Sequence, residues 1–441
     1  DSEEYQYLME QREKLGGSIP VRINKPEALK VPDVSIFKEL IDGTGEREAS
    51  TTMSFVRLLS ILTKDKSIGK HVVPIVPDEA RTFGMDPLFR QLGIYAHSGQ
   101  LYDPVDSDQF LYYKEEKNGQ ILEEGINEAG AISSFIAAGM SYSNHGIHMV
   151  PFYIYYSMFG FQRVWDLIWA AGDMRVRGFL LGGTAGRTTL NGEGLQHQDG
   201  HSHLAAAATP NIKSYDCAYA YEIAIIVQRG MVEMVEENKD VIYYLTLENE
   251  NYIQPSKPEG VSDGVVRGLY KMRGTDQPKI RLLGSGPLMR EVLAAAELLK
   301  EDWGIEPGIW NVTSFSELRR EAEAVERWNL THPDEEPKVS YIEELLSKNT
   351  VPTVAVSDYI KLVSDQIRPY VPGPYYCLGT DGFGRSDTRE GLRRFFEVDR
   401  YYVVLTAIKA LVHAGELEAG MVDSVLEKYD LDPEKPNPVM V

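Results

Sequence analysis

Residues 191–203, NGEGLQHQDGHSH, gather three histidines, a glutamate and an aspartate in one short stretch. On a helix, His197 and His201 would lie one turn apart, where two imidazoles can bind the same metal ion, and Glu193 and Asp199 could complete that site. The glycines of the stretch favour a loop instead, in which one histidine carries protons while its neighbours hold the chain in place. A polar turn that bonds its own backbone is the third interpretation, and the spacing alone leaves all three open.

Glu128 is the second candidate for chemistry. It lies in EEGINEAGAISSFIAAGMSY (123–142), which the pattern predicts as a helix. On that helix Glu128 shares a face with Ile132 and Phe135, so a carboxyl group interrupts an apolar stripe. Burial there raises the pKa of a carboxyl group, as an acid that holds a proton near neutral pH requires. An ordinary acid near a helix start, half exposed and favoured by the helix dipole, is an equally good interpretation.

The remaining candidates follow apolar runs. HVVPIV is followed by Asp78 and Glu79, and HMVPFYIYY ends at Tyr156. In open parallel sheets, ligands bind at the carboxyl ends of the strands. We therefore expect these residues, the loop after Gly183 and the segment after Gly379 to line any site. A structural or interface role for that last segment is at least as well supported as a chemical one.

Alternating helices and strands must position these residues. The apolar runs predict strands at 71–80, 148–156, 178–183, 240–248, 279–286, 308–314, 350–357 and 375–382. The helical patterns between them cover 49–69, 123–142, 158–175, 218–237 and a segment that ends near 301. Near-continuous apolar strands that alternate with helices predict the α/β class, with two doubly wound parallel sheets covered on both faces.

A linker rich in proline and glycine, residues 251–264, divides this alternation. A chain of 441 residues is long enough for two or three α/β units. We predict a linker with a short helix over residues 1–45, one α/β domain over 46–258 and a second over 259–441.

Composition limits the partners and the compartment. The 66 acidic and 45 basic side chains give a formal net charge of −21, which disfavours nucleic acid and anionic membrane surfaces as partners. No apolar run reaches the length of a membrane span. Cys217 and Cys377 are far apart in sequence and imply no disulfide framework, so we expect a reducing cytoplasm.

Five stretches together resemble a known family. They are PDEARTFGM (77–85), EEGINEAGA (123–131), PFYIYYSMFGFQR (151–163), GGTAGRTTLNGEGLQHQDGHSH (182–203) and LGTDGFGRSD (378–387). They resemble the decarboxylating component of the bacterial pyruvate dehydrogenase complex, of the single-chain homodimeric type that uses thiamine diphosphate. The resemblance covers essentially the whole chain, and transketolase shares the architecture without this histidine loop. It implies a transketolase-like pyrimidine-binding domain over 46–258 and a transketolase C-terminal-like domain over 259–441.

The resemblance also implies roles at the cofactor. Glu128 matches the glutamate that exchanges a proton with the aminopyrimidine ring of thiamine diphosphate, a reaction that needs a carboxyl group in an apolar site. Phe159 matches the aromatic residue that stacks on this ring. Asp78 is placed beside the cofactor as well.

Other matches lie at the substrate end. Glu79 and Tyr156 match positions close to the reacting pyruvate. His197 matches the loop histidine at the substrate and lipoyl end, a candidate proton donor in acyl transfer. The segment 98–114 matches a loop that, in the family, orders over the active centre and shields it from water.

The resemblance implies a pyruvate dehydrogenase (acetyl-transferring), a homodimer that passes the acetyl group of pyruvate to the lipoyl group of an acyltransferase component. The family binds the cofactor's diphosphate through Mg²⁺ with a Gly-Asp-Gly motif, which this sequence lacks. We therefore expect the Mg²⁺ ligands in an amino-terminal domain, expect Asp1 to be a truncation or cleavage point, and expect the chain alone to be inactive.

Three alternatives to this function stay open. The chain could be a non-catalytic fragment that mainly holds a dimer together, and it would then bind neither cofactor nor pyruvate. It could be a transketolase-like enzyme. It could also be a metal-dependent hydrolase built on His197, His201 and Asp199, which predicts stoichiometric zinc.

Overall fold

The computed structural model describes residues 2–17, 26–77, 80–103, 105 and 113–441. The strands in these residues are β1 (Glu48–Ala49), β2 (Val72–Val76), β3 (Ile94–Tyr95), β4 (Glu115–Glu116), β5 (Leu122–Glu123), β6 (Val150–Tyr156), β7 (Gly178–Gly183), β8 (Ile212–Asp216), β9 (Ile242–Thr246), β10 (Tyr252–Ile253), β11 (Leu269–Gly274), β12 (Arg281–Gly284), β13 (Gly308–Val312), β14 (Thr353–Val356) and β15 (Tyr375–Leu378). They form two large sheets and two short two-stranded ones.

The helices between the strands cover these sheets. They are α1 (Glu3–Lys14), α2 (Lys38–Ile41), α3 (Thr51–Leu62), α4 (Asp86–Leu92), α5 (Glu128–Gly139), α6 (Ser141–His145), α7 (Phe161–Asp173), α8 (Ser202–Ala208), α9 (Ala220–Met231), α10 (Ser262–Arg267), α11 (Met289–Trp303), α12 (Phe315–Thr331), α13 (Tyr341–Leu346), α14 (Lys361–Asp365), α15 (Arg389–Phe395), α16 (Arg400–His413) and α17 (Met421–Lys428). None of the helices in the described ranges combines the length and the apolar character that a membrane crossing requires.

The first large sheet is parallel throughout, in the order β5-β2-β6-β7-β9-β8. Its strands β2 and β7 are buried along their whole length, and β6 is buried except at Tyr156. Strands covered by helices on both faces consist of continuous apolar residues, which is why the sequence marks them so clearly. The predicted parallel sheet is confirmed.

The second large sheet has the order β11-β13-β12-β14-β15. Strands β12 to β15 are parallel, as predicted, whereas β11 pairs antiparallel with β13 at the edge. The sequence patterns do not predict β11, because its second half, KMRG, is polar and partly exposed. An antiparallel edge strand on a parallel sheet is common in this class of fold.

One hydrophobic core runs from the first sheet into the second. It includes Phe55 of α3, the stacked rings of Phe152 and Phe179 with centroids 4.6 Å apart, and Ile408 of α16. A separate cluster on the other face of the first sheet contains Phe135 of α5. The two halves of the chain therefore pack together through apolar side chains.

A buried polar seam joins the two sheets as well. Glu222 of α9 accepts hydrogen bonds from Asn311 of β13 at 2.6 Å and from the hydroxyl of Tyr270 of β11. Burial raises the pKa of Glu222 to about 7. Beside it, Asp216 accepts bonds from Ser285 at 2.7 Å and from Thr246 at 2.9 Å.

One helix boundary and one pair of elements differ from the sequence predictions. The helix predicted over 123–142 begins at Glu128, where Asn127 caps it by accepting a bond from the N–H of Gly130, and the residues before it form the edge strand β5. Residues 202–216 contain α8 and β8, which the patterns do not predict. The predicted domain limits at 45 and 258 stay a prediction, as does the reducing compartment, although Cys217 and Cys377 are both free thiols.

Candidate active site

The candidate site lies where three neighbouring strands of the first sheet end. Strands β2, β6 and β7 are adjacent, so the chain after β2, Tyr156 at the end of β6 and the loop after Gly183 meet at one edge. Asp78 and Glu79, two of the predicted site residues, lie outside the described residues. So do residues 104 and 106–112 of the predicted covering segment 98–114.

Three rings come together at this edge. The centroids of Tyr156 and His197 are 5.1 Å apart, those of Phe159 and His197 are 5.6 Å apart, and those of Tyr156 and Phe159 are 5.9 Å apart. The hydroxyl of Tyr156 also donates to Thr82 Oγ1 at 3.1 Å. The strand-end rule therefore correctly placed Tyr156 and the histidine loop next to each other.

Phe159 owes its position to a tight turn. It ends the 3₁₀ turn Ser157–Phe159, which follows β6 directly. Gly160 comes next, and a Cβ at this position would lie 2.0 Å from the ring of the buried Tyr155. Only glycine lets the backbone pass so close to that ring before α7 begins.

Glu128 is the first residue of α5, and its side chain is 13% exposed. Ile132 and Phe135 are buried on the same face, so the predicted stripe exists, although the acid lies at its start as the alternative interpretation held. Arg163 Nη1 donates to Glu128 Oε1 at 2.9 Å. The guanidinium carbon of Arg163 lies 4.1 Å from the centroid of the Phe159 ring.

Arg163 therefore links the predicted acid to the predicted stacking ring. The sequence analysis missed it, because no spacing rule pairs position 128 with position 163. A basic residue four positions after Phe159, near the start of the next helix, is the only signal the sequence carries.

His197 ends a second 3₁₀ turn, Leu195–His197, so this stretch forms a loop and not a helix, and the proton-transfer role of a histidine stays a prediction. Its Nδ1 lies 3.5 Å from Glu193 Oε2. That nitrogen is buried and has no hydrogen-bond partner within the described part of the chain.

Asp199 anchors the histidine loop. Its carboxylate is wholly buried and accepts bonds from the backbone of His201 and Ser202, both at 3.0 Å, and from the hydroxyls of Ser157 and Ser202. Burial alone would raise the pKa of Asp199, but these hydrogen bonds lower it. These hydrogen-bond donors therefore stabilise the charged carboxylate of Asp199.

The structure does not bring the proposed zinc ligands together. His201 Nε2 lies 3.0 Å from the side-chain nitrogen of Gln162, and Asp199 is occupied by its four donors. Across the described ranges, no group of three or more histidine, cysteine, aspartate or glutamate side chains is arranged to hold a metal ion. The geometry of the described residues therefore disfavours the metal-site interpretation, and the catalytic role of the loop stays a prediction.

A loop of the second sheet supports the histidine loop from outside. The N–H of Arg385 donates to Gln198 Oε1 at 2.7 Å, and the Gln198 amide donates back to the Arg385 carbonyl. The N–H of Gly192 donates to the Asp387 carbonyl at 2.9 Å. The segment after Gly379 therefore helps to hold the histidine loop in place.

The side chains at this edge fit the pyrimidine end of thiamine diphosphate. A flat, amino-bearing ring needs an aromatic face to stack on and a carboxylate to meet its ring nitrogen, and Phe159 and Glu128 offer both side by side. The imidazole of His197, whose ring lies next to that of Tyr156, adds a polar group to this edge.

Two family models match the chain. Residues 29–255 match the pyruvate dehydrogenase E1 component middle domain, and residues 268–399 match the transketolase-like C-terminal domain. The chain is 57% identical over 442 residues to the pyruvate dehydrogenase E1 component of Pseudomonas aeruginosa, covering 99% of this chain and 50% of that protein. It is 52% identical over 442 residues to that of Escherichia coli (strain K12), again covering 99% and 50%. The chain thus spans about half the length of the relatives it matches.

Two solved transketolase structures share the fold of this chain. The transketolase from Leishmania mexicana matches with a TM-score of 0.67 and 15% identity, over 87% of this chain and 48% of that one. The transketolase from Campylobacter jejuni subsp. jejuni matches with a TM-score of 0.62 and 17% identity, over 86% of this chain and 49% of that one. At such identities the likeness shows the fold alone, and it confirms the predicted transketolase-like architecture.

Proposed function

Because the chain belongs to the pyruvate dehydrogenase E1 component family, we propose that it forms part of an enzyme that uses thiamine diphosphate to decarboxylate pyruvate oxidatively. In this proposal the acetyl group passes to the lipoyl group of an acyltransferase component. The observation that carries the proposal is the convergence of Glu128, Phe159, Tyr156 and His197 at one strand edge.

When bound, thiamine diphosphate supplies a nucleophilic carbon for the keto group and accepts the electrons released as CO₂ leaves. Glu128 holds and returns a proton at the pyrimidine nitrogen. Arg163 engages its Oε1, so we assign Oε2 to that nitrogen. Phe159 orients the ring by stacking, and Asp78 contacts the cofactor as well.

At the substrate end, Tyr156 and Glu79 position pyruvate. To His197, whose Nδ1 lies 3.5 Å from Glu193 Oε2, we assign the donation of a proton to the sulfur that leaves when the acetyl group reaches the lipoyl ring. Each of these roles belongs to the proposal.

A surface next to Glu128 supports a homodimer. After Glu128, helix α5 is apolar or small on all sides, yet its outer face of Ala129, Ser133 and Ala137 is exposed, and the neighbouring helix α7 exposes Trp165 and Trp169. A helix that is apolar all round is normally buried. We propose that a second copy covers this face, so that the partner subunit completes the site at the start of α5.

Mg²⁺ belongs to the same proposal. We place its ligands in the half of the relatives' length that this chain does not span, which agrees with the absence of a Gly-Asp-Gly motif here. Calorimetric titration of thiamine diphosphate with Mg²⁺ then distinguishes two cases. The chain alone is expected to show no saturable binding, and the full-length protein to bind about one cofactor per chain.

The function is tested by CO₂ release from pyruvate in the full-length protein, with Glu128→Gln as the decisive variant. This substitution keeps the shape of the side chain but removes the exchangeable proton, so turnover should fall by about a hundredfold or more. The melting temperature should be unchanged. Near wild-type turnover in Glu128→Gln would remove its assigned role, and two-carbon transfer from ketose phosphates without CO₂ release would favour the transketolase alternative.

A further inference from the structure

Asp199 binds two serines that belong to different parts of the site. Ser202 is in the histidine loop itself, whereas Ser157 begins the turn Ser157–Phe159 that follows β6. Both serine hydroxyls donate to Asp199 Oδ2, and all three side chains are wholly buried. In the part of the chain that the structure describes, the bond from Ser157 is the only hydrogen bond between this turn and residues 191–203.

Tyr244 of β9 closes these contacts into a ring of hydroxyl groups. Its hydroxyl donates to Ser202 Oγ at 2.9 Å and lies 3.1 Å from Ser157 Oγ. The aromatic ring of Tyr244 is itself packed, with its centroid 6.5 Å from that of the stacked Tyr155 and 5.0 Å from that of Phe161. The turn and the histidine loop are therefore tied to each other and to the sheet.

Gly182 of β7 leaves the space that these hydroxyl groups occupy. A Cβ at this position would lie 2.5 Å from the hydroxyl of Tyr244 and 2.9 Å from Ser157 Oγ. Glycine weakens the interior of a strand and often marks a place where another group approaches closely. Strand β7 thus lacks a side chain at the point where the hydroxyl groups converge.

We propose that Ser157 is a positioning residue, which fixes the turn that carries Phe159 against the loop that carries His197. This inference rests on the proposed function, because the ring positions affect turnover only if these rings meet pyruvate and the cofactor. Ser157 directly follows Tyr156, and its acceptor Asp199 lies two residues after His197. Their hydrogen bond therefore acts on the centroid distances of 5.1 Å from Tyr156 to His197 and 5.6 Å from Phe159 to His197.

Loss of the Ser157 hydroxyl would leave the carboxylate of Asp199 with one donor fewer. Hydrogen bonds to a charged group are stronger than those between neutral groups, and a buried acceptor without its partner is unfavourable. The remaining donors are the N–H groups of His201 and Ser202 and the Ser202 hydroxyl, which all belong to the histidine loop. Asp199 would therefore stay with the loop, and the loop would separate from the turn.

The test compares Ser157→Ala with Ser202→Ala in the full-length protein. Each variant removes one hydroxyl from the same carboxylate and the same tyrosine, so the melting temperature should fall by the same amount. Only Ser157→Ala separates the turn from the loop, so its kcat/KM for pyruvate should fall about tenfold or more, and that of Ser202→Ala much less. A smaller folded fraction lowers kcat but leaves KM unchanged, so a rise in KM in Ser157→Ala alone marks the displaced rings.

Crystal structures of the two variants give a readout that does not depend on activity. In Ser157→Ala the distance between the ring centroids of Tyr156 and His197 should increase by about 1 Å, a displacement that matters at a reacting centre. In Ser202→Ala it should stay at 5.1 Å. Equal KM values and equal ring distances in the two variants would overturn the inference.

Ser157→Cys replaces Ser157→Ala if the alanine variant does not fold. A thiol has nearly the size of a hydroxyl group but is a weaker donor, so the KM for pyruvate should still rise above that of the wild type. A wild-type KM together with a wild-type ring distance in Ser157→Cys would overturn the inference. Absence of CO₂ release by the wild type would refute the proposed function, and the ring distances would still decide the role of Ser157.

Discussion

Arg163 connects the two side chains that we assign to the pyrimidine ring, Glu128 and Phe159. Arg163→Met keeps the length of the side chain but removes its charge and its hydrogen bond. Glu128 then loses the partner that fixes its carboxylate, and we expect turnover of pyruvate to fall about tenfold or more, since small misplacements at a reacting centre have effects of this size. The free energy of unfolding should change by less than about 1 kcal/mol, because the pair is partly exposed.

Arg267 provides the matched control for this substitution. Its guanidinium lies 3.7 Å from the centroid of the Tyr341 ring and 3.6 Å from Asp263, in the second half of the chain. Arg267→Met should leave turnover unchanged and alter the melting temperature by a similar small amount. If both variants turn over pyruvate at the wild-type rate, Arg163 does not position Glu128.

At the scale of single residues, the sequence predicted the positions that depend on local spacing along a helix or on the end of a strand. Helical spacing marked Glu128, and the strand-end rule placed Tyr156 beside the loop that holds His197. Arg163 was missed because its contact with Glu128 depends on how α5 and α7 pack, and no local pattern encodes that distance. The anchoring role of Asp199 was missed too, since it needs Ser157 from another element.

The turn between β6 and α7 is the element that aims Phe159 at the site. Gly160→Ala would place a Cβ 2.0 Å from the ring of Tyr155, which is wholly buried and has no room to move. The turn Ser157–Phe159 must then shift. We expect the free energy of unfolding to fall by roughly 1–3 kcal/mol, as overpacking in a core does. Turnover should fall further than stability alone explains.

Gly420→Ala is the control for a glycine-to-alanine change, because Gly420 has open space around its Cβ position and an ordinary φ of −63°. Chemical denaturation and pyruvate turnover measured on both variants separate the two effects. A Gly160→Ala protein with wild-type stability and turnover would show that the turn tolerates the added methyl group.

At the scale of elements, prediction succeeded where a strand is buried on both faces and failed at the edges. Strand β7 was predicted with its true limits, 178–183, because every residue in it is buried. Strand β11 was missed because an edge strand has partly exposed, polar residues. The helix over 123–142 was predicted five residues too early, since the capping role of Asn127 is visible only with the backbone bonds in place.

At the scale of the whole molecule, the sequence predicts two sheets but not which residues make the contacts between them. The apolar runs predict each sheet separately, and the linker near 260 suggests that the pattern restarts. The contacts across the seam join residues far apart in sequence, such as Glu222 with Asn311, and leave no local pattern. Such contacts follow from tertiary packing, so neither the seam nor its buried acids could be predicted.

Asp358 makes one of these contacts sensitive to pH. It follows β14, and its carboxyl group accepts the N–H of Thr188, from the loop after β7, at 3.1 Å and 3.0 Å from its two oxygens. Burial raises the pKa of Asp358 from 3.8 to about 7. Because the folded state keeps a proton that the unfolded chain releases near pH 4, this group stabilises the fold fully below pH 4. Its contribution declines as the pH rises and is lost above about pH 7.

Asp358→Asn should remove this dependence, since the amide keeps the shape and an acceptor for Thr188 but does not ionise. We expect the variant to gain stability relative to the wild type as the pH rises from 5 to 8, by an amount on the order of a few kcal/mol. Taking the difference between the two proteins cancels the titration of buried histidines such as His203, which acts in the opposite direction. The measurement is urea denaturation across this pH range, with the exposed Asp334→Asn as control. A difference that does not change with pH would mean that Asp358 is ionised in the folded protein throughout, and that the seam is insensitive to pH at this point.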